Sequence, residues 1–364
     1  MVKRKKKTHY MLRFIYLAFF TVMLLACRST PSQQINEHKL SLSTTASIMF
    51  LDSLEATTFI TLDPMQGFFE EITSLDMQIQ LQGSYPSTVT REEVLTDYRA
   101  LLKRDVASFS PTEKALLSRV WQRAYKDVSS IQEGLFPDTM KLVKTLAQHY
   151  GPGVYYTRGK GIIIPEHELY SDNEDGLYDV MLHELFHIWS RLHPEKQKQL
   201  YSLIGFRKLP VETRDLEMND ALRSRILLNP DGIDYGYTIQ LVKEDGHLVD
   251  AIPIIVSNQS SYDTAQPGFF GYLSFQLFPI EKTPDDQYLV ISTPEGLAPQ
   301  DLITGSNFHS IIKDNTGYII HPDEIMADNF VLWVKKHRQQ DPVELSLSEG
   351  GQRLLEQIHV TLTN

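Results

Sequence analysis

Residues 180–192 constrain this chain more than any other stretch. They contain His183-Glu184-Leu185-Phe186-His187, and every residue from Tyr178 to Leu192 permits a helix. An acidic turn at 171–175 and Gly176 precede them, and Pro194 ends the run. At about 100° per residue, His183 and His187 share a stripe with Val180 and Arg191. Leu182, Leu185, Phe186 and Trp189 cover the opposite stripe. One face of this helix must therefore enter a core while the other presents two imidazoles side by side.

Two neutral imidazoles one turn apart suit a borderline dication such as zinc, Zn2+, and leave a position open for water. Glu184 lies about 100° round from His183, within reach of that water. The metal would bring the water's pKa toward roughly 7, and the carboxylate would take its proton as general base. This pattern resembles the zincin metallopeptidases. The resemblance implies metal ligation by His183 and His187, catalysis by Glu184, and an extended peptide or protein substrate paired along an edge strand of a small sheet. Residues 154–157 and 161–164 read as a hairpin or bent strand around Arg158-Gly159-Lys160, placed just before the helix.

A catalytic zinc usually takes a third protein ligand. His193 gives a metzincin-like spacing, but Ser190 stands where those proteins have the glycine that lets the chain turn back, so His193 reads as a helix-end histidine. Glu212 and Glu217 lie at shorter distances from His187, and neither has an Asp four residues later. Glu324 does: Glu324 and Asp328 share one helical face, so the first can bind metal while the second accepts the free ring N–H of a ligand histidine. This resembles the Glu-x-x-x-Asp signature of gluzincins, with Glu324 as ligand and Asp328 behind a histidine, although Glu324 lies unusually far from His187. The donor to the oxyanion stays open among Tyr318, His321, His309, Tyr235 and Tyr237.

The first 13 residues carry six Lys and Arg, and an apolar run at 14–26 follows, shorter than the roughly 20 residues of a membrane span. It closes on Leu24-Leu25-Ala26-Cys27, which resembles the lipobox of bacterial lipoproteins. That resemblance implies acylation of Cys27, residence in the lipid bilayer of the cell envelope, and, with Arg28 next, the outer membrane. Cys27 is the only cysteine, which excludes an internal disulfide and any cysteine ligand. Without residues 1–27 the chain holds 29 Lys and Arg against 46 Asp and Glu, a net charge of −17 that argues against nucleic-acid partners.

The expected fold class is α+β: a zincin-like core, made of a small sheet and the active-site helix, with an N-terminal helical lobe and a β-rich insertion. Residues 28–41 read as a tether and 42–150 as the helical lobe, with its clearest helices at 92–106, 112–128 and 138–149. Residues 151–364 form the metallopeptidase domain, with the insertion at about 233–310. Within it, 237–243 pairs with 247–256 and 270–278 pairs with 287–292, and Pro322 opens a helix. The expected function is a lipid-anchored zinc peptidase. A non-catalytic envelope lipoprotein that keeps the groove, or a zinc amidase acting on a non-peptide amide, are the other readings.

Overall fold

A computed structural model of the chain describes residues 38–63, 67–266 and 268–364. The signal region, Cys27 and tether residues 28–37 lie outside the described residues. The fold is α+β, as expected.

The first sheet contains β1 (Lys39–Ser41), β2 (Ser47–Phe50), β3 (Val106–Ala107), β4 (Thr139–Thr145), β5 (Tyr156–Arg158) and β6 (Gly161–Pro165). Its order is β1-β2-β4-β6-β5, with β3 paired to the end of β4. β2, β4 and β6 run parallel, and β1 and β5 are antiparallel to their neighbours. Interior parallel strands are covered on both faces and read as continuous apolar runs. β6 does so: Ile162 and Ile164 enter one core, and Ile163, on the opposite face, enters the other. Leu142 and Val143 of β4 divide in the same way.

The first core lies under α5 (Pro111–Ile131) and α6 (Glu174–Leu192). α6 is the His-Glu-x-x-His helix, and it buries Leu182, Leu185, Phe186 and Trp189 as its apolar stripe requires. It starts before Tyr178: Ser171–Asn173 is a 3-10 turn, and Glu174 and Asp175 form the first helical turn, paired with Arg119 and Arg123 of α5 at 2.9 and 2.5 Å. The second core holds α1 (Ser53–Thr61), α2 (Phe68–Glu71), α3 (Ser74–Leu81) and α4 (Arg91–Arg104). α4 and α5 are the helices expected at 92–106 and 112–128, the first ending two residues earlier and the second running on to Ile131; each opens on a capping box, Thr90 with Glu93 and Ser110 with Glu113, the latter followed by Pro111.

The expected all-helical lobe at 42–150 is corrected. This segment supplies β2, β3 and β4 to the same sheet as β5 and β6, and the described residues form one compact unit. Residues 138–149, expected as a helix, are mostly β4. The run Met140-Lys141-Leu142-Val143 fits periods of both 2 and 3.6, so periodicity does not decide. A place between β2 and β6, where both backbone edges and both faces are satisfied, does. Part of the expected tether is likewise strand β1.

α7 (Pro194–Leu203) follows, then a second, antiparallel sheet: β7 (Phe206–Lys208), β8 (Tyr237–Val242), β9 (Leu248–Ser257), β10 (Leu273–Lys282) and β11 (Tyr288–Val290), in the order β11-β10-β9-β8-β7. The expected pair of 237–243 with 247–256 forms as β8 and β9; the expected pair of 270–278 with 287–292 is corrected, since Leu273–Pro279 pair with β9 and β11 pairs with Ile280–Lys282 instead. The sheet begins at Phe206 and ends at Val290, earlier at both ends than the insertion expected at about 233–310. α8 (Asp220–Arg225), α9 (Phe308–Ile312), α10 (Pro322–His337) and α11 (Glu349–Thr363) complete the chain. Among the described residues no helix is long and apolar enough to cross a membrane.

Candidate metal centre

α6 packs against α10, and this pairing builds the site. α10 opens at Pro322 with His321 as N-cap, whose Nδ1 accepts the Asp323 amide at 3.1 Å. The first turn then carries two buried acids: Asp323 is 3 % exposed and Glu324 1 %. A buried carboxylate needs partners. Here the partners are the histidines of α6.

Glu324 Oε2 lies 3.0 Å from His183 Nε2 and 3.3 Å from His187 Nε2, the second within ion-pair reach but without hydrogen-bond alignment. Its other oxygen accepts Asn229 Nδ2 at 2.7 Å. Each ring turns its remaining nitrogen to a further carboxylate of α10. His183 Nδ1 meets Asp328 Oδ1 at 2.9 Å, and His187 Nδ1 meets Asp323 Oδ2 at 2.7 Å. Asp323 is held in turn by the hydroxyls of Ser190 (2.7 Å) and Tyr201 (2.6 Å). Both Nε2 atoms are thereby directed at one carboxylate oxygen, and the ligand atoms of His183, His187 and Glu324 lie within 4.8 Å of one another.

The electrostatics follow from this crowding. Burial would depress His183, but hydrogen bonds to Asp328 and Glu324 outweigh it and lift the ring to about 10. His187 is also raised against burial, by the carboxylates of Glu324, Asp231 and Asp323. Burial opposes ionisation of Glu324, yet His187 foremost, and His183, hold its carboxyl well below the usual range. Glu184 behaves differently: burial and the Asp231 carboxylate push it up to about 8. Its Oε2 is buried with no hydrogen-bond partner, as is His187 Nε2. Buried polar atoms are normally satisfied, so two orphans within one cluster of metal-binding groups are what a site that accepts a cation and a water would show.

A turn from the connection between β7 and β8 closes the site. Asp231 Oδ1 accepts the Thr157 amide and hydroxyl of β5 at 2.5 and 2.7 Å. Arg191 of α6 donates to Gly159 O, Thr157 Oγ1 and Asp231 O. Helix, edge strand and turn are thus fixed by one guanidinium. Asp231, Glu184 and His187 also bring their ligand atoms within 4.8 Å of one another.

The structure brings together His183, Glu184, His187, Glu324 and Asp328. It does not bring in the other candidates. His193 bonds Trp189 O at 2.8 Å and stacks on that indole, as a helix-end histidine does. Glu217 pairs by its backbone with Tyr288 and Val290, and Glu212 precedes a 3-10 turn outside the cluster. Of the five oxyanion candidates Tyr318 lines the cleft, its ring 6.1 Å from that of His183. His321 is committed to its cap and to Asp234 O, and Tyr237 donates to Gln197. Sequence reasoning missed Asp323, which reads as an ordinary first-turn acid, and Asn229 and Asp231, which read as turn formers in Asn229-Pro230-Asp231-Gly232. The only local signal was a third carboxylate, Asp323, on a helix already assigned two.

The cleft over this cluster has a volume of about 520 Å³. Gly153, Val154 and Tyr155, leading into the edge strand β5, line it, as do Val331, Leu332 and Lys335 of α10. Comparisons with protein-family models, curated proteins and solved structures find no match to this chain.

Proposed function

We propose that the chain is a metal-dependent peptidase, with zinc as the metal, held in the cell envelope by a lipid on Cys27. One observation carries the reading: two imidazole Nε2 atoms and a carboxylate oxygen converge from α6 and α10, each imidazole braced by its own aspartate, next to the Glu184 carboxylate, whose buried Oε2 has no hydrogen-bond partner. That donor set fits zinc, which favours nitrogen and oxygen ligands from three protein groups and keeps a position for water. His183, His187 and Glu324 would hold the ion, which when bound supplies an activated water and polarises the substrate carbonyl.

The chain's own residues do the rest. Asp328 and Asp323 fix the ring orientation and leave both Nε2 lone pairs facing the site. Glu184, raised by burial and sharing the site with Asp231, takes a proton from water at near-neutral pH and delivers it to the leaving amine. Tyr318 supplies a phenol O–H at the cleft wall to the developing oxyanion. Residues 153–155, leading into β5, line the cleft, where their backbone can pair with an extended peptide. The basic and apolar N-terminal segment with its lipobox-like end supports export and anchoring.

The test uses chain beginning after Cys27, reconstituted with zinc, in wild-type, Glu324→Ala and Glu184→Gln forms. Wild type should bind about one zinc and cleave a mixed peptide pool. Glu324→Ala should lose the metal, and Glu184→Gln should keep it while hydrolysis falls by about 100-fold or more. Hydrolysis retained in Glu184→Gln, or a wild type that takes up no zinc, overturns the reading.

A further inference from the structure

Phe270 has a side chain that the fold leaves unexplained. It is 62 % exposed, and it lies on the cleft wall with Tyr155 and Tyr318. An exposed phenylalanine on a mobile loop would mean little, but this one is held. It sits in the 3-10 turn Phe269–Gly271. Its neighbour Phe269 is buried edge-on against Tyr150 at 4.9 Å, and Tyr150 packs on Tyr156 of β5. Tyr156 is fixed from behind by His149, whose other nitrogen meets Asp105. On the far side Asn258 Nδ2 donates to Gly271 O at 2.8 Å, and the Asn258 amide to Tyr272 O at 2.8 Å. The turn that leads into β10 is therefore anchored to the edge strand and to β9. It presents one large, exposed apolar ring to the cleft that Val331 and Leu332 of α10 also line.

We infer that Phe270 is the specificity-determining contact of the site: it packs on a bulky apolar side chain, aromatic or long aliphatic, next to the scissile bond of a peptide lying along residues 153–155, which lead into β5 and line the cleft. The inference rests on the peptidase reading above and names its substrate class. Phe270, Val331 and Leu332 are apolar residues lining the one cleft over the site, and His183, Glu324 and Asp328, which line it too, are bonded to one another. A peptide side chain placed against the apolar residues removes the Phe270 ring from water along with its own surface. An acidic or small side chain at that position gains nothing there.

The experiment compares zinc-loaded wild type, Phe270→Ala and Phe270→Leu on peptides identical except for Phe, Leu, Ala or Glu beside the cleaved bond. Binding of the same peptides to a Glu184→Gln background, with and without Phe270→Ala, is measured by fluorescence anisotropy, and metal stoichiometry serves as the folding control. Wild type should favour Phe and Leu over Ala and Glu by about tenfold or more in kcat/KM. That ratio should collapse in Phe270→Ala and be largely restored in Phe270→Leu. Cleavage with no such preference, or a preference indifferent to Phe270, overturns the subsite and leaves the peptidase standing. Peptide binding that depends on Phe270 without any cleavage by wild type overturns the peptidase and leaves an apolar peptide site. Neither binding nor cleavage overturns both.

Discussion

Asp323 and Asp328 do the same work on two histidines in different surroundings. Asp323 is buried, and both its oxygens are used, one by His187 and the other by Ser190 and Tyr201. The side chain of Asp328 is 34 % exposed and is shared between His183 and Thr316. A buried, fully satisfied network is costly to break because each orphaned group stays desolvated, whereas water replaces part of what an exposed one loses. On the proposed zinc reading, Asp323→Asn should therefore weaken zinc affinity by about 10–100-fold, and Asp328→Asn by clearly less. Competition with a chromophoric chelator measures both, and equal affinities in wild type and Asp323→Asn would remove Asp323 from the site's support. The residues found by spacing, His183, Glu184, His187, Glu324 and Asp328, all carry an i, i+1 or i, i+4 relation to a partner on their own helix. Asp323 has none that separates it from a helix-dipole acid, so its role was hidden.

The elements owe their positions to a few side chains that cross between them. Arg191 ties α6 to the edge strand and to the 229–232 turn. A second tie lies further back: Asp76 of α3, fully buried, accepts the Leu228 amide at 2.9 Å and Gln80 Nε2 at 2.8 Å. Residue 228 immediately precedes Asn229, so α3 fixes the segment whose amide braces Glu324. Burial pushes Asp76 up to about 6 in spite of the two hydrogen bonds, from 3.8. A carboxyl raised in the folded state binds its proton before the unfolded chain does. This group therefore adds stability as pH falls through 6 toward 4, and costs it above 6. The effect is about 3 kcal/mol across that window. Asp76→Asn should remove this increment and flatten the pH dependence of urea unfolding between pH 4 and 7. An unchanged pH slope in the variant would show that Asp76 titrates normally.

At the scale of the molecule, one sheet separates two cores, and its interior strands β4 and β6 face both. Cutting at residue 150 would strip β4 from β6 and α5 from α6, leaving Ile162, Ile164 and the apolar stripe of α6 in water. Such exposed strand edges and faces are costly. A 151–364 fragment should show no cooperative thermal transition by circular dichroism, where residues 28–364 unfold as one unit. A fragment that melts cooperatively would restore the two-lobe division that the sequence suggested. The sequence by itself determined what is local. The α6 stripe with its two imidazoles, the capped starts of α4, α5 and α10 and the hairpin of β8 and β9 follow from backbone periods and turn residues within a few positions of one another. Only the tertiary structure decided which carboxylates meet the histidines, that 139–145 is a strand, and that Phe270 reaches the cleft. Helical geometry fixes the distance between His183 and His187. Nothing in the 136 intervening residues fixes the distance from His187 to Glu324 except the packing of α10 on α6, and a short apolar run takes the secondary structure that its neighbours leave room to satisfy.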